Sequence, residues 1–584
     1  MQAARIPTIR LNGTITSARR AFRDPILTGA LIFVILFILI AIIWPLLAMI
    51  GESVSERGLP LFRRYLTEPV FQTIILNTIV MGVLVASVGT FVGFLFAIVQ
   101  VKLDVPFKRF MHIIALIPVI SPPFAVATSV IVLFGRNGVI SRGVFGVRYD
   151  IYGLDGLTLV LTLSFFTLAY LNLRGMMLAL DPALDEAATN LGASKWRVFR
   201  TVTLPMLMPG IASSFLLLFV ESIADLGNPL VLGGNFEVLA TRIYISVIGL
   251  YDTTAAAVLS IILLLPSLTV FIIQRYWINR LSVVSVTGKP SGQPQMITNP
   301  FIKWGLFGVV MAICLLIVLI YGTIIYGAFV QVPGVNNTFT LRNFDYVING
   351  IGSQAMRDTT QLSAIATPIA GLLGMIIAFI VMRTQFFGRG AIDFGAMLGI
   401  AVPGTIIGIG YLLVFNSPSV ITLPLLGDVT VIPKLTGGQA MFGGALAIVL
   451  VFIIRSMPAA LRSGTAALSQ IDPAIEEASV SLGANSARTF RRITLPLIRP
   501  AFLTGLIYSF AHSMTTISAI VFLTTPQTKI MTRQILNEVE NGRYGNAFAY
   551  CVILILIVLL TVGILYTLVG SRTGAERTIE GGAR

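Results

Sequence analysis

Twelve long apolar segments divide this chain, and they decide what it can fold into. A helix that crosses a bilayer needs about 20 mostly apolar residues, and the segments reach that length. Only 11% of the residues are charged, which is too few to cover a water-facing surface, since soluble domains carry about 25%. We therefore predict an all-α polytopic membrane protein. Its spans are predicted at 26–50, 71–101, 110–135, 157–180, 209–232, 252–274, 301–330, 360–382, 392–416, 440–461, 500–523 and 546–570.

Basic residues concentrate in the first 24 residues and in the connector 275–303. Under the positive-inside rule such segments lie on the cytoplasmic side of the membrane. An even number of spans returns the chain to its starting side, so both termini are predicted to be cytoplasmic. The same distribution accounts for the net charge of +15 without a nucleic-acid partner. Membrane lipid is therefore the expected surrounding of the chain. The first apolar run, 25–50, is longer than the core of a signal peptide, which has about 7–15 residues. We therefore expect it to remain as the first membrane-spanning helix.

The chain contains two related halves. A segment that begins at Asp181 and another that begins at Asp472 align without a gap over 31 positions, of which 15 are identical. Because each half has six spans, the halves run in the same direction and should be related by a pseudo-twofold axis along the membrane normal. The predicted organisation is an N-terminal tail 1–25, a first half 26–275, a linker 276–300, a second half 301–570 and a C-terminal tail 571–584.

The repeated segment follows the fourth span of each half and predicts a helix–turn–helix on the cytoplasmic face. Each copy opens with Asp-Pro, which suits the start of a helix. A central glycine permits a sharp turn, and a Leu-Pro pair is expected to end the second helix before the next span. These features stand at 181–182, 192 and 204–205 in the first copy, and at 472–473, 483 and 495–496 in the second.

This pattern resembles the EAA loop of type I ABC importer permeases, the MetI-like permeases, in which E-A-A precedes a glycine and a later Leu-Pro. The resemblance covers nearly the whole chain and implies that each loop couples the permease to an ATP-binding subunit. The second copy departs from the pattern by a serine in place of the last alanine. The matching residues are Glu186, Ala187, Ala188, Gly192, Leu204 and Pro205 in one loop, and Glu477, Ala478, Ser479, Gly483, Leu495 and Pro496 in the other.

The resemblance also implies which partners the chain has. The sequence contains no G-x-x-x-x-G-K-[ST] phosphate loop, so two copies of a separate ABC ATP-binding subunit would hold ATP and Mg²⁺. A periplasmic or lipid-anchored solute-binding protein would deliver the solute at the bacterial inner membrane. This chain itself is expected to be no enzyme and to bind no cofactor or metal of its own.

The fused two-half layout and the connectors after the fifth and eleventh spans resemble ferric-iron importer permeases, so ferric iron is the expected solute. Close relatives of that group move sugar phosphates, phosphonates, pyridoxal phosphate or thiamine, and physical reasoning does not separate these alternatives. An ion-coupled secondary transporter is the alternative class, because many have twelve spans in two parallel halves. A repeated cytoplasmic loop would have no purpose in that class.

Glu221, Asp225 and His512 are ionisable residues inside predicted spans. Such groups are costly in a membrane and usually mark a pathway or a buried pair. At the offset of 291 that aligns the repeats, Glu221 falls on His512, so a pseudo-twofold axis would place them at equal depth near the central path. The three residues are candidate pathway or gate residues, and the alternative is a hydrogen-bonded pair that fixes helix packing.

Overall fold

The computed structural model describes residues 25–276, 296–384, 386–423 and 427–570, and most of this part of the chain is helical. Within it, nine helices are long and apolar enough to cross a membrane, and three bent helix pairs raise the number to twelve if each pair is one span. The all-α polytopic architecture is confirmed. The predicted tails and most of the predicted linker lie outside the described residues, and the domain boundaries remain a prediction.

The first half contains spans 1 to 6 and one helix–turn–helix between spans 4 and 5. The spans are Pro25–Ser53, Pro69–Lys102, the pair Lys108–Ile120 and Pro123–Phe134, Leu154–Ala179, Leu204–Ala224 and Thr253–Tyr276. The loop helices are Pro182–Asn190, Lys195–Val198 and Phe199–Thr203, and the other connectors hold Gly58–Thr67, Gly227–Leu232 and Leu239–Gly249.

The second half repeats this order with spans 7 to 12. The spans are Pro300–Ala328, Ser353–Arg383, the pair Arg389–Ala401 and Gly404–Phe415, Ala445–Leu468, Arg499–Thr515 and Tyr544–Gly570. The loop helices are Ala474–Ser481, Ser486–Thr489, Phe490–Thr494 and Leu495–Leu497. The connectors hold Met441–Gly444, Arg342–Ile348, Ile520–Phe522, Met531–Glu540 and the antiparallel hairpins Val330–Val332 with Asn336–Phe339 and Ser419–Leu423 with Gly427–Ile432.

The third and ninth spans are bent, so the predicted single helices at 110–135 and 392–416 are wrong. Their two segments meet at 108° in span 3 and 105° in span 9. Pro122 and Pro403 stand at the two breaks. Proline cannot donate to the helix ladder, and it forces the residue before it into an extended conformation. Ser121 and Val402 accordingly have ψ values of 149° and 128°.

The fifth and eleventh spans end earlier than predicted, at Ala224 and Thr515 instead of near 232 and 523. The next residues, Asp225 and Thr516, are both extended, with ψ values of 128° and 141°. The two spans therefore stop at equivalent positions, and irregular backbone at the end of each faces the space between the halves. Such backbone is tolerated within a membrane only where protein buries it or a cavity adjoins it.

Each half is held together by the same crossing of its second and fourth spans. A Cβ atom at Gly93 would come within 2.7 Å of the Ala169 Cβ, and one at Gly374 within 2.6 Å of the Ala460 Cβ. Spans 2 and 4, and spans 8 and 10, thus approach so closely that only glycine fits. Small residues at crossings are the usual means of close helix packing in membranes, where no hydrophobic effect draws helices together.

The first span of each half packs on the opposite half. Span 1 contacts spans 8 and 9, and span 7 contacts spans 2 and 3. The Tyr411 hydroxyl of span 9 donates to the Ala41 carbonyl of span 1 at 3.0 Å. On the other side, the hydroxyls of Ser121 in span 3 and Tyr321 in span 7 lie 2.6 Å apart. This reciprocal exchange joins the two halves into one helical body.

Candidate coupling loops and central cavity

Both predicted helix–turn–helix segments form, and their first helices begin as the sequence indicates. The Asp181 carboxylate accepts a hydrogen bond from the Ala183 N–H at 3.0 Å, and the Asp472 carboxylate accepts one from the Ala474 N–H at the same distance. An aspartate at this position satisfies a backbone donor that the first helical turn leaves open.

The central glycines make the turns. Gly192 has a φ of +85° and Gly483 a φ of +86°, in the left-handed region that side chains other than glycine seldom adopt. Ser194 and Asn485 then cap the second helix of each loop, accepting from backbone N–H groups three residues further along. The two turns therefore have the same backbone conformation, although a serine caps the second helix in one loop and an asparagine caps it in the other.

A buried carboxylate anchors the first loop to the end of the second span. Asp185 accepts from the Lys102 Nζ at 2.7 Å and from the Thr203 hydroxyl at 3.0 Å. The side chains of Lys102 and Asp185 are each only 12% exposed. The first loop helix, the second loop helix and span 2 thus meet at one carboxylate.

The second loop repeats this anchor with longer side chains. The Arg383 Nε lies 2.6 Å from a Glu476 oxygen, and the Thr494 hydroxyl donates to the other oxygen at 2.8 Å. Both members of the ion pair are only 10% exposed. Arg383 also donates to the carbonyls of Leu468 and Ile471 at the end of span 10.

The sequence analysis did not predict these anchors, because the two residues of each ion pair lie far apart in the chain. The repeat itself carries a usable signal. Lys102 falls on Arg383 at the offset of 281 that aligns the early spans, and Asp185 falls on Glu476 at 291. A base and an acid that both recur in two copies indicate an ion pair that both copies need.

The serine that departs from the EAA pattern has a definite contact. The hydroxyls of Ser479 and Thr489 lie 2.9 Å apart and are buried between the two helices of the second loop. The equivalent positions in the first loop are Ala188 and Val198, which are both apolar. The second loop therefore has a hydroxyl contact between its helices at positions that are apolar in the first loop.

The outward surface of each loop is formed by the remaining predicted residues and by one large apolar side chain. Glu186 and Ala187, and Glu477 and Ala478, are exposed. Leu191 and Leu482 directly precede the turn glycines and are 90% and 89% exposed. Because they recur at equivalent places in both loops, these two leucines are candidate contacts for another protein.

The expectation that Leu204-Pro205 ends a helix is wrong. Lys195–Ala224 is one continuous helix, and the Leu204 N–H bonds to the Phe199 carbonyl five residues earlier. This wider π turn lets Pro205 follow without breaking the helix, because proline is tolerated where the ladder is locally rearranged. In the second loop the helix runs through Pro496 to Leu497 and then bends by 82° into span 11. Leu204 and Leu495 are half-buried, and both prolines are exposed.

A cavity of about 170 Å³ lies between the halves and contains all three predicted intramembrane residues. The first half contributes the end of the first segment of span 3, the middle of span 4 and the end of span 5. The second half contributes span 10 and the end of span 11. The lining residues that matter chemically are Ser121, Ser164, Glu221, Asp225, Arg455, Tyr508, His512 and Thr516.

The three predicted residues are brought together, but not as a hydrogen-bonded pair. Among the described residues no hydrogen bond or ion pair joins Glu221 to His512, whose ring stacks on Tyr508 with 5.4 Å between ring centres. One Asp225 oxygen accepts from the N–H and the side-chain amide of Asn228 at 3.0 and 2.9 Å. Asp225 therefore caps the short helix after span 5. The described residues contain no group of three or more His, Cys, Asp or Glu able to hold a metal.

Arg455 is the cavity residue that sequence reasoning missed. Its Nη1 donates to the Gly399 and Val402 carbonyls at 3.2 and 2.9 Å, so it holds the backbone at the bend of span 9. The side chain also lines the cavity. The sequence carries a signal for this residue. Arg455 directly follows the apolar run 445–454 inside span 10, and a charged side chain within a membrane is costly unless it has a structural or functional role.

Another buried carboxylate, that of Glu538, stabilises the connector between spans 11 and 12. Glu538 accepts from the Arg543 Nε at 2.6 Å, from the Asn546 amide at 3.0 Å and from the Tyr346 hydroxyl at 3.1 Å. Burial alone would raise the pKa of Glu538, but the hydrogen bonds and the charge of Arg543 outweigh it and lower that pKa below its usual value. The carboxylate is thus held ionised inside the connector.

Comparison with known proteins decides the family. The family described as binding-protein-dependent transport system inner membrane component matches this chain twice, at residues 89–283 and 370–574. The chain belongs to this family. Each matched range contains one helix–turn–helix loop and the spans on either side of it, so the permease consists of two tandem copies of the family's domain, as the repeats predict.

Some relatives of this permease align with most of its length and others with a part of it. Ferric transport system permease protein FbpB of Actinobacillus pleuropneumoniae is 34% identical over 565 residues, which are 92% of this chain and 78% of that protein. Fe(3+)-transport system permease protein FbpB 2 of Haemophilus influenzae is 24% identical over 514 residues, 86% of this chain and 91% of that protein. Molybdenum transport system permease protein ModB of Escherichia coli is 31% identical over 173 residues, 29% of this chain and 75% of that protein.

Proposed function

We propose that this permease imports ferric iron across the bacterial inner membrane, taking it from a periplasmic or lipid-anchored solute-binding protein. The observation that carries the proposal is the similarity to a ferric transport permease along 92% of the chain. The molybdenum permease aligns with only 29% of it. Phosphorylated or other small organic solutes are the alternative cargo for the same machinery. An ion-coupled secondary transporter has no support from the family.

Two copies of a separate ABC ATP-binding subunit, which hold ATP and Mg²⁺, would drive the cycle through the two loops. The exposed Leu191 and Leu482 are the side chains best placed to enter a groove on such a subunit, with Glu186 and Glu477 beside them. The buried pairs Lys102–Asp185 and Arg383–Glu476 make each loop continuous with a long span. A force applied to a loop would thereby pass into span 2 or span 8, which pack on the spans 4, 5, 10 and 11 that line the cavity.

The positive-inside rule supports an orientation with the loops, both termini and the linker in the cytoplasm. Spans 5 and 11 then run outward from the loops, and their ends face the binding protein. The central cavity would lie on the path of the solute. Glu221, Asp225 and His512 belong to its wall, where a group with a fixed charge can select or gate a charged solute.

Uptake of ⁵⁵Fe(III) by cells with and without the gene tests the proposal. A loop variant, Gly192→Val with Gly483→Val, tests the coupling, because a β-branched residue cannot adopt the left-handed turn without strain. Gly175→Ala is the matched control, since a Cβ atom there meets nothing within 4 Å. We expect uptake to disappear with the gene and with the loop variant, and to persist in the control.

The outcomes separate the two parts of the proposal. Iron uptake that is unchanged by deletion of the gene refutes ferric iron as cargo and leaves the permease family intact. Uptake that depends on the gene but survives the loop variant refutes the role of the loops. Wild-type and variant chains are quantified in the membrane fraction, so that loss of protein is not mistaken for loss of coupling.

A further inference from the structure

The charged groups of the central cavity are divided between the two halves. The carboxylates Glu221 and Asp225 come from the first half, whereas Arg455 and His512 come from the second. At the offset of 291 Arg455 falls on Ser164, and that serine lines the same cavity. The two halves match in their helix–turn–helix loops and in the close packing of spans 2 and 4 and of spans 8 and 10. They differ in the residues that line the central cavity. One wall is suited to a cation and the facing wall to an anion.

A bare ferric ion does not suit this cavity. Arg455 is only 7% exposed, and a guanidinium stays protonated under all ordinary conditions. A cation beside it would be repelled, because charges inside a protein are screened less than charges in bulk water. The described residues also include no cluster that could coordinate a metal. An occupant that presents a negative group to Arg455 is therefore favoured over a bare cation.

Two nitrogen atoms at this wall are unused. Within the described part of the chain, the Nε of Arg455 and the Nε2 of His512 are buried without hydrogen-bond partners. A buried polar group left unpaired costs about 1–3 kcal/mol, so such groups usually have a reason. The other edge of the guanidinium is occupied by the backbone carbonyls at the bend of span 9. The side chain is therefore fixed, and its free edge is preorganised.

We infer that the cavity binds an oxyanion carried by the transported solute, and that Arg455 and His512 are its binding residues. The oxyanion would accept hydrogen bonds from the Arg455 Nε and from the Nε2–H of a neutral His512 ring, with Glu221 and Asp225 facing a cationic part. A cavity of about 170 Å³ has room for a tetrahedral oxyanion, since a water molecule takes about 30 Å³ in the liquid. The inference rests on the proposed permease function. For ferric cargo it means that the ion enters together with a small oxyanion.

Binding of [³²P]phosphate to the purified full-length chain in lipid nanodiscs tests this inference, with and without equimolar ⁵⁵Fe(III). We expect saturable binding by the wild type and at least tenfold weaker binding by Arg455→Met, because a hydrogen bond to a charged group contributes about 1.5–3 kcal/mol. Arg462→Met is the matched control. It removes an arginine from the same span, two turns away and outside the cavity lining, and should bind as the wild type does.

A second variant keeps the test sound if Arg455→Met fails to fold. His512→Phe retains a ring to stack on Tyr508 but removes the Nε2 atom, and the His512 side chain makes no other hydrogen bond among the described residues. We expect it to bind phosphate several-fold more weakly while eluting as the wild type does in size-exclusion chromatography. A merely structural histidine would leave phosphate binding unchanged in this variant.

The two labels distinguish the source of the oxyanion. Phosphate that binds only when ⁵⁵Fe(III) binds in equal amount shows an anion accompanying iron, and phosphate that binds without iron shows an oxyanion solute in its own right. Either result supports the inference. Absence of saturable phosphate binding in both conditions, or equal binding by wild type and both cavity variants, overturns it. Because the assay measures no uptake, failure of the ferric proposal in cells would be seen separately.

Discussion

Replacement of Asp185 by Asn should detach the first helix–turn–helix loop from span 2, whereas Glu186→Gln at the next position should not. The Asp185 carboxylate is buried and receives both Lys102 and Thr203, while Glu186 is exposed. Asparagine keeps an oxygen for the Thr203 hydroxyl but removes the charge opposite Lys102. Breaking a buried ion pair in this way costs about 3–5 kcal/mol, because the remaining charge stays desolvated.

The size of the effect can be read from hydrogen exchange of the loop amides. The N–H groups of Leu191 and Gly192 donate to the Ala187 and Thr189 carbonyls, so they exchange only when the loop opens. At about 1.4 kcal/mol for each tenfold change, a cost of about 3 kcal/mol predicts roughly 100-fold faster exchange. Mass spectrometry of the purified chain in nanodiscs resolves this difference. Glu186→Gln should change the same rates by less than about threefold, since exposed charges contribute little.

An exchange of the two charges provides the decisive comparison. Lys102→Asp combined with Asp185→Lys restores opposite charges at the site, so it should recover part of the protection that Asp185→Asn loses. Transport should follow protection, because the loop is the proposed connection to the ATP-binding subunits. Equal exchange rates in Asp185→Asn and Glu186→Gln would refute the anchoring role. So would a Lys102→Met variant that exchanges like the wild type.

Three further predictions concern other features. Leu191→Asp with Leu482→Asp should abolish co-purification of the ATP-binding subunits without lowering the melting temperature of the chain, because both side chains are about 90% exposed; a lowered melting temperature would contradict a docking role. Ser479→Ala should cost about 1 kcal/mol by leaving the Thr489 hydroxyl unpaired, and the added change Thr489→Val, which copies the first loop, should recover that loss in a thermal melt. The folded-state pKa of Glu538 is lowered, so its contribution to stability is present above its unfolded-state pKa of about 4.3 and is lost as pH falls through the folded value. Glu538→Gln should therefore reduce the loss of stability at acid pH. An unchanged dependence of stability on pH in this variant would contradict the ionised state of Glu538.

The sequence predicted those parts of this protein that depend on local composition. Apolar length located the spans, and the Asp-Pro and glycine pattern predicted the helix–turn–helix loops, since each depends on residues that are close in the chain. The bends of spans 3 and 9 were missed although Pro122 and Pro403 stand at equivalent positions, 281 residues apart, because a proline in an apolar run permits either a kink or a sharp turn. The surrounding helices decide between the two.

The rest depends on contacts between distant segments. The anchors of the loops join residues that are 83 or more positions apart, and Arg455 reaches carbonyls 53 and 56 positions earlier. No periodicity in one segment reports such pairs. The repeat could have reported the anchors, because both charges recur in both halves, whereas Arg455 has no charged counterpart. Its role follows from the three-dimensional structure, in which Arg455 donates hydrogen bonds to backbone carbonyls at the bend of span 9.

The reciprocal packing of the first spans has a consequence for how the protein is made. The Tyr411 hydroxyl that binds span 1 is 370 residues downstream of Ala41. At a synthesis rate of about 5–20 residues per second, roughly 20–70 seconds separate the insertion of span 1 from the arrival of its partner. During that interval the face of span 1 that will contact spans 8 and 9 lacks its partners, although span 6 of its own half becomes available earlier. The nascent chain is most vulnerable to misassembly and proteolysis in this period, and the first half cannot reach its final structure before much of the second has been translated.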